Sequence, residues 1–173
     1  VFCIDGLPKR EDRSYMPFAQ MKCELDRWYA EGSRSVGFLG GEPTTYPSIV
    51  QSVAHARELG FTRIAIATNA TKLRLTHFTD KLLDAGLSRI TISMHGHTAE
   101  LHDYLTQTPD CFKRLMKALI RSVRDRRVIT NVDVVINKQN VGVLDKIVEL
   151  AISVGVTEFD LLHVIPQSNA YTN

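Results

Sequence analysis

The chain of 173 residues is 44% hydrophobic and 23% charged, which excludes a disordered polymer and leaves room for one domain, residues 1–173, with a substantial core. Its 21 Lys and Arg against 19 Asp and Glu give a formal charge of +2; basic residues are scattered apart from residues 121–127 (RSVRDRR), which read as a solvated helix end, so a nucleic-acid partner is not expected. No apolar stretch approaches the roughly 20 residues that span a bilayer, and no charged segment leading into an apolar one opens the chain, so the expected location is cytoplasmic, with no membrane partner.

In chain order, Phe18, Met21, Leu25 and Trp28 mark a first amphipathic helix that ends at Gly32. A short strand at 36–39 follows. Ile49, Val53 and Ala56 fall at i, i+4 and i+7 and predict a second helix, and residues 63–67 a second strand. Phe78, Leu82 and Ala85 repeat the helical spacing before a third strand at 89–93. Phe112, Leu115, Met116, Leu119, Ile120 and Val123 form a broader stripe, a strand follows at 132–136, and Leu144, Ile147, Val148 and Ala151 form the next stripe. A last strand is expected at 158–165. Gly60, Gly86 and Gly155 stand where helices need a left-handed residue to stop, each shortly before a strand. Repeated βα units make an α/β fold with a parallel sheet, either open or curved into a barrel. The opening VFCIDGLP without an initiator methionine, and the final VIPQSNAYTN without a following helix, lead us to expect a piece of a longer protein.

In parallel βα architectures, ligands bind at the carboxyl ends of the strands. There the sequence places Gly40-Gly41-Glu42-Pro43, Thr68-Asn69, Ser93-Met94-His95-Gly96-His97, Asn137, and the run from His163 to Pro166. Two glycines let a ligand approach the backbone closely, and Pro43 stiffens the turn. A carboxylate in such a loop repels phosphate and suits a cation such as an ammonium group. The plainer reading of the same motif is a tight turn with a solvent-facing Glu42. Three cysteines at irregular spacing, Cys3, Cys23 and Cys111, argue against a disulfide framework. Cys23 and Cys111 read as structural, and Cys3 as either a small buried hydrophobe or a thiolate ligand.

Together, Phe2-Cys3, FLGGEPTTYP, IATNATKL, ITISMHGHTAELHD and LLHVIP resemble the radical S-adenosylmethionine (SAM) superfamily over nearly the whole chain. The resemblance implies a partial (βα)6 TIM-like barrel, of which this chain lacks the first strand and the last helix. In that family a CxxxCxxC loop binds a [4Fe–4S] cluster; Phe2-Cys3 looks like its end, with the other two cysteines upstream of Val1. The same resemblance assigns Gly40, Gly41, Glu42 and Pro43 to the methionine ammonium of SAM. Asn69, Ser93, His95 and Asn137 match later strand-end contacts. Val164, Ile165 and Pro166 would line the adenine, with the backbone beside Phe2 at its edge. It further implies reductive cleavage of SAM to a 5′-deoxyadenosyl radical that abstracts hydrogen from a substrate, and an electron donor of flavodoxin or ferredoxin type. The HGHTAELHD segment is similar to a branch that modifies peptides and proteins or builds cofactors, which leaves the substrate open.

Two other readings compete. His95 and His97, two apart and so on one side of an extended strand, could join His163 in a metal site of a barrel hydrolase. Against this, Thr98 followed by AELHD reads as an N-capped turn opening a short helix. The second alternative is a barrel without a cluster that serves as a SAM-binding scaffold.

Overall fold

The structure, a computed structural model, describes residues 15–163. Phe2, Cys3, Val164, Ile165 and Pro166 lie outside the described residues. Helix α1 (Phe18–Ala30) precedes strand β1 (Ser35–Phe38), and four further strands follow: β2 (Arg63–Thr68), β3 (Arg89–Ser93), β4 (Ile129–Ile136) and β5 (Glu158–His163). Between them run α2 (Ile49–Leu59), α3 (Thr76–Ala85), α4 (Ala99–Thr106), α5 (Cys111–Arg124) and α6 (Leu144–Val154). Helices α2, α3 and α6 stop at Gly60, Gly86 and Gly155, whose φ angles of 102°, 112° and 107° lie in the left-handed region.

All neighbouring strands are parallel, and the sheet order is β1-β2-β3-β4-β5. That order settles what the sequence left open. A doubly wound sheet reverses direction at a switch point, whereas a sheet in which each strand pairs with the next is wound one way, as in a barrel. Successive side chains of a strand take opposite faces. Val36, Phe38, Ile64, Ile66, Ile90, Ile92, Val132 and Val134 are buried in one core together with Leu25, Val53, Leu82, Leu115, Leu119 and Ile147 of the helices. The intervening positions, Gly37, Ala65, Ala67, Thr91, Ser93, Asn131 and Asp133, therefore take the other face, the one a barrel turns inward.

That inner face is polar toward β4 and β5. Thr91 Oγ1 donates to Asn131 Oδ1 at 2.7 Å, and Asn131 Nδ2 donates to Asp160 Oδ2 at 2.7 Å. Arg89 pairs with Glu158 nearby. These polar positions explain why β4 begins at Ile129, three residues before the apolar run suggested: Thr130 and Asn131 broke the expected pattern. The helix-end cluster RSVRDRR is an ion-pair seam. Arg121 reaches Asp80 at 2.6 Å, while Arg127 reaches Asp84 at 2.6 Å and Asp125 at 2.7 Å, tying α5 to α3.

Candidate functional site

The GGEP turn follows β1 directly. Gly40 has φ +93°, a conformation that other residues rarely adopt, and a Cβ at Gly40 or Gly41 would meet no atom within 4 Å. The backbone on this side of the turn is thus open to a ligand. Pro43 begins a single 3-10 turn, Pro43–Thr45, and both Pro43 and Thr44 are buried.

Glu42 is half-buried and its carboxylate is turned to donors within the chain, which corrects the plainer reading of the motif. Its Oε1 accepts from Thr44 N at 3.0 Å, from Thr44 Oγ1 at 2.5 Å and from Thr68 Oγ1 at 2.6 Å. Its Oε2 accepts from Asn69 N at 2.8 Å. A carboxylate has about four lone-pair sites, so these four donors nearly saturate it. Two of them come from the end of β2, which makes Glu42 a clasp between the first and second strand ends. Glu42's own carbonyl is taken as well, by Thr45 N at 3.0 Å and Thr45 Oγ1 at 2.7 Å. Lys72 closes the other side: its Nζ donates to Thr44 O at 2.8 Å and lies 4.4 Å from the centre of the Phe78 ring.

Asn69 is exposed, with its side-chain oxygen accepting from Thr71 N at 2.9 Å in a local turn. Ser93 ends β3 and stands in register with Asp133, which in turn pairs with Asp160. Asp133 Oδ1 is buried without a hydrogen-bond partner, and burial pushes this carboxyl up while the Ser93 hydroxyl opposes the rise.

Beyond β3 the chain turns inward. His95 is 6% exposed; Val135 N donates to its Nδ1 at 3.2 Å, and its own N–H donates to His102 Nδ1 at 3.2 Å. The two imidazoles stack at 6.0 Å between centroids. Burial, then the neighbouring His102, holds His95 down to about 3, and burial holds His102 at about 4. Both rings are therefore neutral at pH 7, and because each Nδ1 accepts, each proton sits on Nε2. Thr98 Oγ1 accepts from Leu101 N at 3.3 Å, the N-cap of α4 that the sequence indicated.

Asn137 uses its side chain locally, donating to Val135 O at 3.2 Å and accepting from Gln139 N at 2.9 Å. Asn140 joins the segments instead. Fully buried, it donates from Nδ2 to His95 O at 3.1 Å and Val135 O at 3.0 Å, and accepts from Asn137 N at 2.8 Å. The sequence reading placed Thr68 at a strand end without giving it a role, and passed over Thr44, Lys72, His102 and Asn140. Thr68 was visible as the residue before Asn69, but its partner lies 26 positions away and only the strand pairing reveals it.

The histidine metal site is corrected by this geometry. Because β3 ends at Ser93, His95 and His97 lie in a loop and do not alternate along a strand, and the His95 ring is engaged by Val135. No group of three or more His, Cys, Asp or Glu suited to a metal occurs among the described residues. Cys23 is exposed on α1, and Cys111 is buried with its Sγ 2.9 Å from Thr106 Oγ1; neither has a second cysteine beside it among the described residues. The described residues thus leave the GGEP backbone open to a ligand and include no thiolate set for a cluster.

Comparison with known proteins places the chain. The family model of the radical SAM superfamily matches residues 1–151. The chain belongs to the radical SAM superfamily. Superfamily members use a [4Fe–4S] cluster and SAM. A probable GTP 3′,8-cyclase of Sulfurisphaera tokodaii is 27% identical over 135 residues, covering 78% of this chain and 42% of that protein. An AdoMet-dependent heme synthase of Methanosarcina barkeri is 27% identical over 158 residues, covering 88% and 44%. A probable GTP 3′,8-cyclase of Saccharolobus solfataricus is 32% identical over 136 residues, covering 78% and 43%. The chain thus spans less than half the length of these curated relatives. The solved structure of native anSMEcpe with bound AdoMet superposes with a TM-score of 0.72 over 95% of this chain and 48% of that one, at 15% identity, which establishes the shared fold. No helix among the described residues is long and apolar enough to cross a membrane.

Proposed function

We propose that this chain forms the SAM-binding part of a radical SAM enzyme, and that the open GGEP turn, clasped onto the end of β2 by Glu42, receives the methionine end of SAM. The observation that carries the reading is this turn, standing at the carboxyl edge of a singly wound parallel sheet in a chain that matches the superfamily over residues 1–151. When bound, the cluster and SAM supply an electron and a 5′-deoxyadenosyl radical that takes a hydrogen atom from the substrate.

The protein's own part is orientation and exclusion. With the Glu42 carboxylate and carbonyl engaged within the chain, the carbonyls of Gly40 and Gly41 are left as the acceptors for the SAM ammonium. Asn69 and Ser93 stand at the next two strand ends and contribute polar contacts to the rest of the cofactor. His95 and Asn137 shape the wall beside it: the His95 ring is locked by Val135 and presents a neutral imidazole, and Asn137 stiffens the loop after β4. Phe2, Val164, Ile165 and Pro166 complete the adenine contacts, and Cys3 supplies one thiolate to the cluster. The inner face around Ser93, Asn131 and Asp133 then forms the wall that a substrate meets, sheltered from bulk water. The sequence relatives named above are a GTP cyclase and a heme synthase, which supports a small-molecule substrate over a peptide. A flavodoxin- or ferredoxin-type protein delivers the electron in the cytoplasm.

The test is anaerobic reconstitution of the full-length protein with iron and sulfide, followed by iron quantification and electron paramagnetic resonance of the reduced sample. A [4Fe–4S] signal that disappears in Cys3→Ala is expected. A protein that takes up zinc and no iron would return the reading to a hydrolase, and one that binds SAM with no cluster would make it a scaffold.

A further inference from the structure

Resting on that reading, we infer that Thr68 and Lys72, neither of which can be read as a SAM ligand from the motif, are positioning residues for the SAM methionine, acting through Glu42 and Thr44. Thr68 is 3% exposed, so its hydroxyl has no route to a bound cofactor. Its contacts are internal on both sides: it donates to Glu42 Oε1 at 2.6 Å and accepts from Ala70 N at 3.0 Å. Ala70 is itself buried with φ +59°, an unusual conformation for alanine, so the Thr68 hydroxyl secures a bend in one strand end while gripping the other.

Glu42 Oε1 receives three donors, and two of them are the amide and hydroxyl of Thr44. Lys72 then holds the Thr44 carbonyl from the opposite side. The GGEP turn is thereby held at Glu42 by Thr68 of β2 and at the Thr44 carbonyl by Lys72 of the turn after it. The Gly40-Gly41 backbone has no side chains of its own to hold it, and it inherits its orientation from these contacts. If Glu42 captured the ammonium directly, removing the Thr68 hydroxyl would release a lone pair for the ligand and SAM would bind as well or better. If Glu42 is a clasp, the same change loosens the turn and SAM binds worse.

The experiment measures SAM binding by calorimetry to the full-length, cluster-loaded protein, with thermal unfolding followed in parallel, for wild type, Thr68→Val, Thr68→Ser and Lys72→Met. Thr68→Val is expected to raise Kd about tenfold, comparable to the loss of one charge-assisted hydrogen bond, with Thr68→Ser returning to within about threefold of wild type and Lys72→Met weakening binding severalfold. A merely structural threonine would lower the melting temperature and leave the Kd of the folded fraction unchanged. Wild-type affinity in both Thr68→Val and Lys72→Met overturns the inference while the radical SAM reading stands. If Thr68→Val does not fold, Lys72→Met decides alone. Failure of the wild type to bind SAM overturns the reading beneath it, and the inference with it.

Discussion

Replacing Asn140 by alanine tests how the loop after β3 is fixed. Its amide joins three backbone groups from two strand ends: the carbonyls of His95 and Val135 and the amide of Asn137, at 3.1, 3.0 and 2.8 Å. The side chain is fully buried, so water cannot readily replace it; truncation loses three bonds and strands the His95 carbonyl and the Asn137 amide, while Val135 O keeps its bond from Asn137 Nδ2. At about 1 kcal/mol net for each lost bond, Asn140→Ala should cost about 3 kcal/mol. That is a large fraction of the stability of an ordinary domain, roughly 5–15 kcal/mol. Urea denaturation followed by circular dichroism measures it as a shift in midpoint at constant slope. Asn140→Asp separates hydrogen bonding from volume. It keeps the shape but turns an oxygen toward two carbonyls, so at pH 7 it should destabilise at least as much as alanine. A cost below about 1 kcal/mol for alanine, or tolerance of aspartate, would refute the assignment of Asn140 as the tie between these segments.

Three further outcomes follow from the geometry. His95 and His102 have folded-state values depressed by burial, so both are neutral in the fold; their contribution is complete above about pH 6.5 and is lost as pH falls, because the unfolded chain takes up protons that the folded one refuses. Between pH 7 and pH 5 the loss should be about 2 kcal/mol for each, seen in urea midpoints and flattened in His95→Gln; a stability constant over that window would contradict the buried, neutral pair. Gly96→Ala places a Cβ 2.7 Å from the backbone nitrogen of His102 and 3.0 Å from Leu101, so it should cost about 1–3 kcal/mol and lower the melting temperature by several degrees, whereas an unchanged melting point would mean that α4 can shift. Arg127→Ala removes contacts to three aspartates but leaves an exposed, solvent-screened site, so its urea midpoint should stay close to that of wild type, and a large drop in the same denaturation assay would contradict that reading.

The elements were legible because this architecture repeats one unit. Helical stripes met left-handed glycines at Gly60, Gly86 and Gly155, and a strand followed each, β-branched after the first two. Periodicity failed at the start of β4, where Asn131 faces the barrel interior and Thr130 puts a hydroxyl on the core face, and their polarity hid the first residues of the strand. Spacing alone also offered His95 and His97 as strand neighbours, whereas β3 ends two residues earlier and Gly96 packs beneath the start of α4. The composition of the site was readable at GGEP. Its engineering was not, since the partners of Glu42 at Thr68 and Asn69 lie 26 and 27 positions away and are brought to it only by the pairing of β1 with β2. The same holds for Asn140, which is unremarkable in the string NKQN until the loop folds back on His95.

The most direct test of the radical SAM assignment follows 5′-deoxyadenosine by chromatography after the reconstituted, full-length protein is reduced without oxygen and given SAM. We predict that 5′-deoxyadenosine and methionine form together and that Cys3→Ala abolishes both. A loaded and reduced cluster beside SAM that stays intact would contradict the account.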